Sequence, residues 1–515
     1  MQSCPAELNF AAYLATINAG RADKPAYIDD HGSITYGELA QRVAQFAGLL
    51  QKLGVRREER ILLLMHDTVD WPVVFLGALH AGVVPVAVNT LLTPDDYAYM
   101  LEHSRSQAVF ISAPLLGTLQ SALDKARHEV KHIVVSQPTE PLFDDMLDFA
   151  KQLEQAPAVP PVRTLADEIA FWLYSSGSTG QPKGVVHTHG NLWHTAELYG
   201  KPVLGVRETD TVFSAAKLFF AYGLGNALTF PLSVGATVVL MGERPTPDAV
   251  FKRLVQHKPT VYCGVPTLYA SMLASPNLPS RDQVAIRVCA SAGEALPKDL
   301  GDRFTHHFGA EILDGIGSTE MLHIFLSNQA GDVHYGTTGK PVPGYEVELR
   351  DEDGEPVPAG TIGDLYIKGP SAALMYWNNR GKSRDTFLGA WLKSGDKYVC
   401  DAEGYYTYAG RSDDMIKVSG QYVSPVEVEN ILIQHEAVLE AAVIGQADPD
   451  GLVKTIAYVV LRAGRSPDDT LEDELKTYVK SHLAPFKYPR TIHFLDDLPK
   501  TATGKIQRFR LRQGH

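Results

Sequence analysis

One stretch of ten residues combines the groups needed to hold a phosphate: Ser175-Ser176-Gly177-Ser178-Thr179-Gly180-Gln181-Pro182-Lys183-Gly184. Its glycines let the backbone approach an anion closely. Its four hydroxyls and free amides are neutral donors, and Lys183 supplies the counter-charge. It is not the P-loop of the common nucleotide hydrolases. Gln181-Pro182 stand where that loop has its second glycine, and Gly184 replaces the Ser or Thr after the lysine. His187-Thr188-His189 and His306-His307 have metal-ligand spacing, but no third ligand is placed by the sequence, so a structural or surface role is expected.

The elements that must carry this loop are legible. An apolar run, Ile169 to Tyr174, reads as a strand leading into it. Up to about residue 410, β-branched runs alternate with helix-like periodicity: Ala108 to Ser112, His132 to Ser136, Ala236 to Met241, Thr260 to Gly264, Ile286 to Cys289. That alternation marks an α/β fold with largely parallel sheets. Gly339 to Gly369 is richer in strands and turns, with Tyr345 to Arg350 and Asp364 to Lys368 as strands. A boundary is expected at Gly410-Arg411-Ser412-Asp413-Asp414, where a short polar stretch could be a hinge or an ordinary surface turn. Beyond it, Ala441 to Ile444, Ile456 to Leu461 and Leu471 to His482 outline a small domain.

Composition narrows the class. The chain has 515 residues, too many for one core, which stops growing at about 250–300 residues. With 47 Lys plus Arg against 60 Asp plus Glu it carries −13, which disfavours nucleic acid as a partner. The four cysteines, Cys4, Cys263, Cys289 and Cys400, form no CxxC pair, as suits a reducing compartment. Met1 to Phe10 lacks the features of a signal peptide. Trp71 to Val88 is apolar but interrupted by Pro72, His80 and Pro85, so it reads as a buried helix running into a buried strand, not a membrane span.

The ten-residue loop resembles the phosphate loop of the adenylate-forming superfamily, which includes acyl-CoA ligases, peptide-synthetase adenylation domains and luciferases. Further stretches match in order: Ser291-Ala292-Gly293-Glu294-Ala295-Leu296-Pro297, Asp314-Gly315-Ile316-Gly317-Ser318-Thr319-Glu320, Lys393-Ser394-Gly395-Asp396, Gly410 to Lys417, and Pro499 to Ile506. Within the superfamily, Lys217 to Asn226 and Met321 to Phe325 resemble the benzoate-CoA ligase group. The resemblance covers essentially the whole chain.

It implies an α/β fold. A large N-terminal domain (1–410) would hold two doubly wound α/β subdomains and a β-rich subdomain. A hinge at 411–413 with Asp413 as pivot, and a small α+β C-terminal domain (414–515), would follow. It also implies roles. Ser175, Ser176, Gly177, Ser178, Thr179, Gly180 and Lys183 would bind phosphates. Ala292, Gly293 and Glu294, with Asp314, Gly315 and Ile316, would form the adenine slot. Thr319 would contact phosphate and Glu320 would hold Mg²⁺; Asp396 and Arg411 would hold the ribose or a phosphate. Many relatives have Thr where Ser394 stands, and its hydroxyl is retained here.

Lys505 would be the catalytic cation, assisted by Glu320, Thr179 and Lys183. Two anions must meet at the α-phosphorus, and a positioned ammonium stabilises the charge that gathers there. Ala221, Tyr222, Gly223, Gly317, His323 and Ile324 would line an aryl pocket, with Cys263-Gly264 and Phe220 as further candidates. His323 would either touch substrate or be a buried, hydrogen-bonded histidine. Ser419 and Gly420 would line the path of the CoA arm.

The implied enzyme is an AMP-forming aryl-acid:CoA ligase acting on benzoate or a hydroxybenzoate in aromatic acid degradation. It would use ATP, Mg²⁺ and coenzyme A in the cytoplasm, with no nucleic acid or membrane partner, and a homodimer is left open. Two alternatives remain: an adenylation enzyme loading an aryl acid onto a carrier protein, and a non-catalytic nucleotide-binding homologue.

Overall fold

The computed structural model describes residues 3–175, 181–412, 414–418, 421–447, 453–483, 487–500 and 506–512. The chain packs into two compact units. One comprises Met1–Glu346 and Lys368–Leu392, the other Val347–Ile367 and Lys393–His515. Residues 411 and 412, where the hinge is expected to begin, fall within the second unit.

The first unit contains two large sheets. One runs in the order Met375–Tyr376, Lys183–Thr188, Ile169–Ser175, Val84–Ala87, Arg60–Leu64, Ala108–Ser112, His132–Ser136, Met146–Asp148. From Ile169–Ser175 to the far edge the pairing is parallel, and Lys183–Thr188 and Met375–Tyr376 are added antiparallel. The other has nine strands, with Thr211–Ser214, Val261–Gly264, Val288–Ser291 and Glu311–Gly317 as successive parallel neighbours and Ile324–Ser327 folding back antiparallel. Strands buried on both faces read as unbroken apolar runs, which is why Ala108–Ser112 is buried at all five positions.

Helices cover these sheets and their ends follow local rules. Tyr36–Lys52 opens with a capping box between Thr35 and Glu38, and Pro94–Ser104 opens with one between Thr93 and Asp96. The Trp71–Val88 stretch resolves as expected into the buried helix Asp70–Ala81 and the strand Val84–Ala87, with Gly82 at φ 69° ending the helix. Among the described residues, no helix is long and apolar enough to cross a membrane.

The second unit carries most of the strands Glu346–Arg350, Ile362–Lys368 and Trp391–Cys400 and all of Tyr406–Arg411, joined in that order. Its remaining segments form a sheet of Val438–Ala447, Val453–Leu461 and Thr491–Phe494, with the helices Pro425–Gln434 and Asp469–His482. Val428, Leu432, Val443, Val459, Leu475 and Val479 form its buried core. The mixed α/β class with a small α+β C-terminal part is therefore as the sequence implies.

Candidate active site

Ser175 and Lys183 are the last register pair between two antiparallel strands, so the phosphate-loop sequence connects a hairpin. The segment after it is a strand, Lys183–Thr188, and the helix His189–Thr195 begins only beyond that, capped by Thr188. No helix N-terminus therefore follows the loop directly, unlike a P-loop, and an anion there would depend on local amides, hydroxyls and Lys183. Ser176, Gly177, Ser178, Thr179 and Gly180 lie outside the described residues.

Around Lys183 the chain assembles three distant segments. Its ammonium stands 4.7 Å from the ring centroid of Tyr376, and the Tyr376 hydroxyl donates to Glu320 Oε1 at 2.8 Å. Tyr376 is placed by its pairing with Val185, two residues beyond Lys183. The backbone of Glu320 is pinned as well, its carbonyl accepting from Ala373 N at 2.8 Å. Next to it, Thr319 O lies 2.8 Å from His187 Nε2, and Asn191 Nδ2 lies 2.9 Å from His187 Nδ1. Burial pushes His187 down to about 4, so it is neutral and donates from Nε2 to Thr319 while Asn191 donates to Nδ1. His187 is thus the structural histidine the sequence suggests. Among the described residues no group of three or more His, Cys, Asp or Glu side chains is placed to hold a metal.

The candidate adenine residues sit at the ends of two neighbouring parallel strands, with Ser291 and Asp314 as register partners. Ser291, Ala292 and Asp314 are buried, while Gly293, at φ 96°, is exposed and Glu294 and Ile316 are partly exposed. The Asp314 carboxyl accepts from Leu296 N at 3.5 Å, and burial pushes it up to about 8. Gly315 is required by packing, because a Cβ there would lie 2.8 Å from Ile324 Cγ2 and Leu326 O.

The candidate aryl residues cluster around His323. Its ring packs against Tyr222 (centroids 5.6 Å apart), Phe230 (4.5 Å) and Tyr199 (5.1 Å), and its Nε2 lies 3.3 Å from Tyr222 O. Burial depresses it to about 3, so it is neutral. Nδ1 of His323 and the Tyr222 hydroxyl are buried with no hydrogen-bond partner among the described residues. Glycines allow this crowding: a Cβ on Gly225 would meet His323 Cδ2 at 2.3 Å, and one on Gly223 would meet Lys217 O at 2.0 Å. A Cβ on Gly317 would stand 2.6 Å from the His323 carbonyl, so strand pairing with Ile324 alone demands glycine there. Ala221 begins the short helix Ala221–Leu224 and is partly exposed. Ile324, the pairing partner of Gly317, is buried.

In the second unit, Asp396 and Arg411 are register partners, and Arg411 Nη1 donates to Asp396 Oδ1 at 3.1 Å. Ser394 Oγ accepts from Asp396 N at 3.0 Å within the strand Trp391–Cys400, so its hydroxyl orients the backbone at Asp396. Gly395, at φ 79°, leaves room for Arg411, whose Nη2 would be 2.9 Å from a Cβ. Asp414 is held by Arg512 at 2.5 Å and by Arg508 at 3.7 Å, and Arg508 pairs with Glu429 at 2.7 Å. Asp413, Ser419, Gly420 and Lys505 lie outside the described residues.

The sequence reading missed Tyr376, Asn191 and the Arg508–Asp414–Arg512 cluster. Tyr376 belongs to a two-residue strand, too short for any period to register. The Arg508 and Arg512 signal was present as a basic run in the last described helix.

A parallel-sheet α/β enzyme with a phosphate-loop hairpin and a carboxylate held close to the loop lysine defines a nucleotide-dependent group-transfer class. Residues 14–377 match the family model for AMP-binding enzymes, and 427–505 match that for the AMP-binding enzyme C-terminal domain. The chain is 58% identical over 498 residues to the benzoate–CoA ligase of Thauera aromatica, covering 96% of this chain and 93% of that protein. Among solved structures it is similar to a benzoate CoA ligase from Burkholderia xenovorans LB400, at 65% identity and TM-score 0.91, over 98% of this chain and 100% of that one. It is also similar to the anthranilate CoA ligase AuaEII in complex with anthranoyl-AMP, at 41% identity and TM-score 0.93, over 99% and 98%. The chain belongs to the AMP-binding enzyme family.

Proposed function

We propose that this protein is an ATP-dependent aryl-acid:CoA ligase with benzoate or a hydroxybenzoate as its acid, forming an aryl-adenylate and then the CoA thioester. The observation that carries the reading is the Lys183–Tyr376–Glu320 array in the same unit as a cluster of rings packed around His323. The identity to benzoate ligases over almost the whole chain supports it.

The aryl carboxylate attacks the α-phosphorus of Mg·ATP and pyrophosphate leaves. Lys183 and the loop hydroxyls hold phosphates, and Glu320 serves the Mg²⁺ that arrives with ATP. One carboxylate is sufficient for a cation that keeps waters and phosphate oxygens. Lys505 stabilises the charge at phosphorus. The CoA thiolate then attacks the acyl carbon, and AMP leaves. Asp413 is the proposed pivot between the half-reactions, Ser419 and Gly420 the proposed contacts of the CoA arm, and Asp396 and Arg411 the proposed ribose pair. Ala221, Tyr222, Gly223, Gly317 and Ile324 are the proposed aryl contacts. His323 shapes their wall as a neutral, buried ring. All four cysteines are free thiols, in keeping with a cytoplasmic enzyme.

Benzoate-dependent exchange of pyrophosphate into ATP, followed by CoA-thioester formation, tests the reading. Exchange without thioester would make the protein a carrier-loading enzyme, and no exchange with any aryl acid would make it a non-catalytic nucleotide binder.

A further inference from the structure

A single peptide group, between Lys217 and Leu218, connects the proposed aryl pocket to a buried carboxylate from the other large sheet. Its N–H donates to both oxygens of Asp67, at 3.3 and 3.2 Å. Asp67 is 3% exposed and follows the strand Arg60–Leu64. The carbonyl of the same peptide accepts from Phe220 N at 3.0 Å, and Gly223 packs directly against it. Tyr222, one residue earlier, offers its carbonyl to His323 Nε2. Rotation of this peptide would therefore lose the Asp67 bond and move the seat of Gly223 together.

The Lys217 side chain holds the same point from the other direction. Its ammonium is largely buried and donates to the carbonyls of Met241 and of Glu243, the latter at 2.7 Å. The Lys217 charge draws the buried Asp67 carboxyl back toward ionisation, opposing the burial that raises it to about 6. A buried carboxylate is retained at a cost unless hydrogen bonds and a counter-charge offset its desolvation. Here both are supplied by the first two residues of the segment that leads into Ala221, Tyr222 and Gly223.

We infer that Asp67 and Lys217 are positioning residues for the aryl acid: they fix the Lys217–Leu218 peptide, and that peptide seats the Tyr222–Gly223 wall. The inference rests on the proposed aryl pocket, so its test separates the two. Pyrophosphate exchange is measured with benzoate and ATP varied in turn. Asp67→Ala is expected to raise KM for benzoate about tenfold or more, as loss of a charge-assisted hydrogen bond would, with KM for ATP within about twofold. Asp67→Asn, which keeps an acceptor oxygen, is expected to recover part of the loss.

Equal rises in both KM values, or an unchanged benzoate KM in Asp67→Ala, overturn the inference. If Asp67→Ala does not fold, Lys217→Gln is measured in the same way, with the same split expected and the same results decisive. Ala221→Leu serves as the control. If it raises KM for benzoate and the Asp67 and Lys217 variants do not, this inference alone fails. If Ala221→Leu leaves KM unchanged, the pocket assignment fails and takes the inference with it.

Discussion

The Tyr376 hydroxyl donates to Glu320 Oε1 at 2.8 Å while the face of the same ring lies 4.7 Å from the Lys183 ammonium. One side chain thereby sets the spacing between the candidate phosphate cation and the candidate Mg²⁺ carboxylate. Tyr376→Phe keeps the ring and removes the donor. We expect pyrophosphate exchange to slow about tenfold, in line with a hydrogen bond to a charged group, while circular dichroism is unchanged. A wild-type rate would show that the hydroxyl does not place Glu320.

Lys505 is proposed to act only in the first half-reaction. Lys505→Ala should reduce benzoate-dependent exchange by a factor of about 100 or more, the scale of losing one aimed charge at a transition state. The same variant should still turn pre-made benzoyl-adenylate and CoA into thioester. Normal exchange in Lys505→Ala would remove the lysine from the chemistry.

Asp314 should make stability depend on pH. Its folded form takes up a proton up to about pH 8 because burial disfavours the carboxylate, whereas the unfolded chain releases it near 3.8. Between those values the native state binds more protons, so stability falls as pH rises and levels off above the folded value. Asp314→Asn removes the titration. Its Tm relative to wild type should therefore climb from pH 5 to 8, which scanning calorimetry in the absence of ligand can follow. A constant difference across that range would refute the assignment.

Gly225→Ala tests the crowding around His323. The added methyl would meet His323 Cδ2 at 2.3 Å and Phe230 Cζ at 2.7 Å, and both rings are buried and packed on each other. Overpacking of this kind costs about 1–3 kcal/mol. We expect a lowered Tm and a raised KM for benzoate, with KM for ATP little changed. A variant as stable as wild type would mean that the ring cluster is loosely packed.

The parts of the molecule that repeat a period were legible in the sequence. Ala108–Ser112 and His132–Ser136 are strands with the expected ends; the first is buried at all five positions and the second at its last three, and short apolar runs of that length fit buried strands. The ordered stretches from Ser175 to Lys505 pointed to the right family because each places glycine, hydroxyl and charge at fixed intervals. What stayed hidden depends on residues far apart in the chain. Nothing local to Tyr376 shows that Glu320 is its partner, 56 positions away. Nor does Gly317 reveal from its neighbours that the His323 backbone occupies the space a side chain would need. A glycine in sequence looks like room for a ligand; in the fold, the Cβ direction of this one is taken by the neighbouring strand.

His187 remains uncharged until well into acid, and it tethers the Thr319 backbone with Asn191 steadying its other nitrogen. Souring the medium over the range in which ordinary histidines titrate therefore leaves this anchor for Glu320 in place. Any decline in turnover over that interval has to originate elsewhere, in the reactants or in other groups of the chain. Burial holds this imidazole in its neutral form across that range.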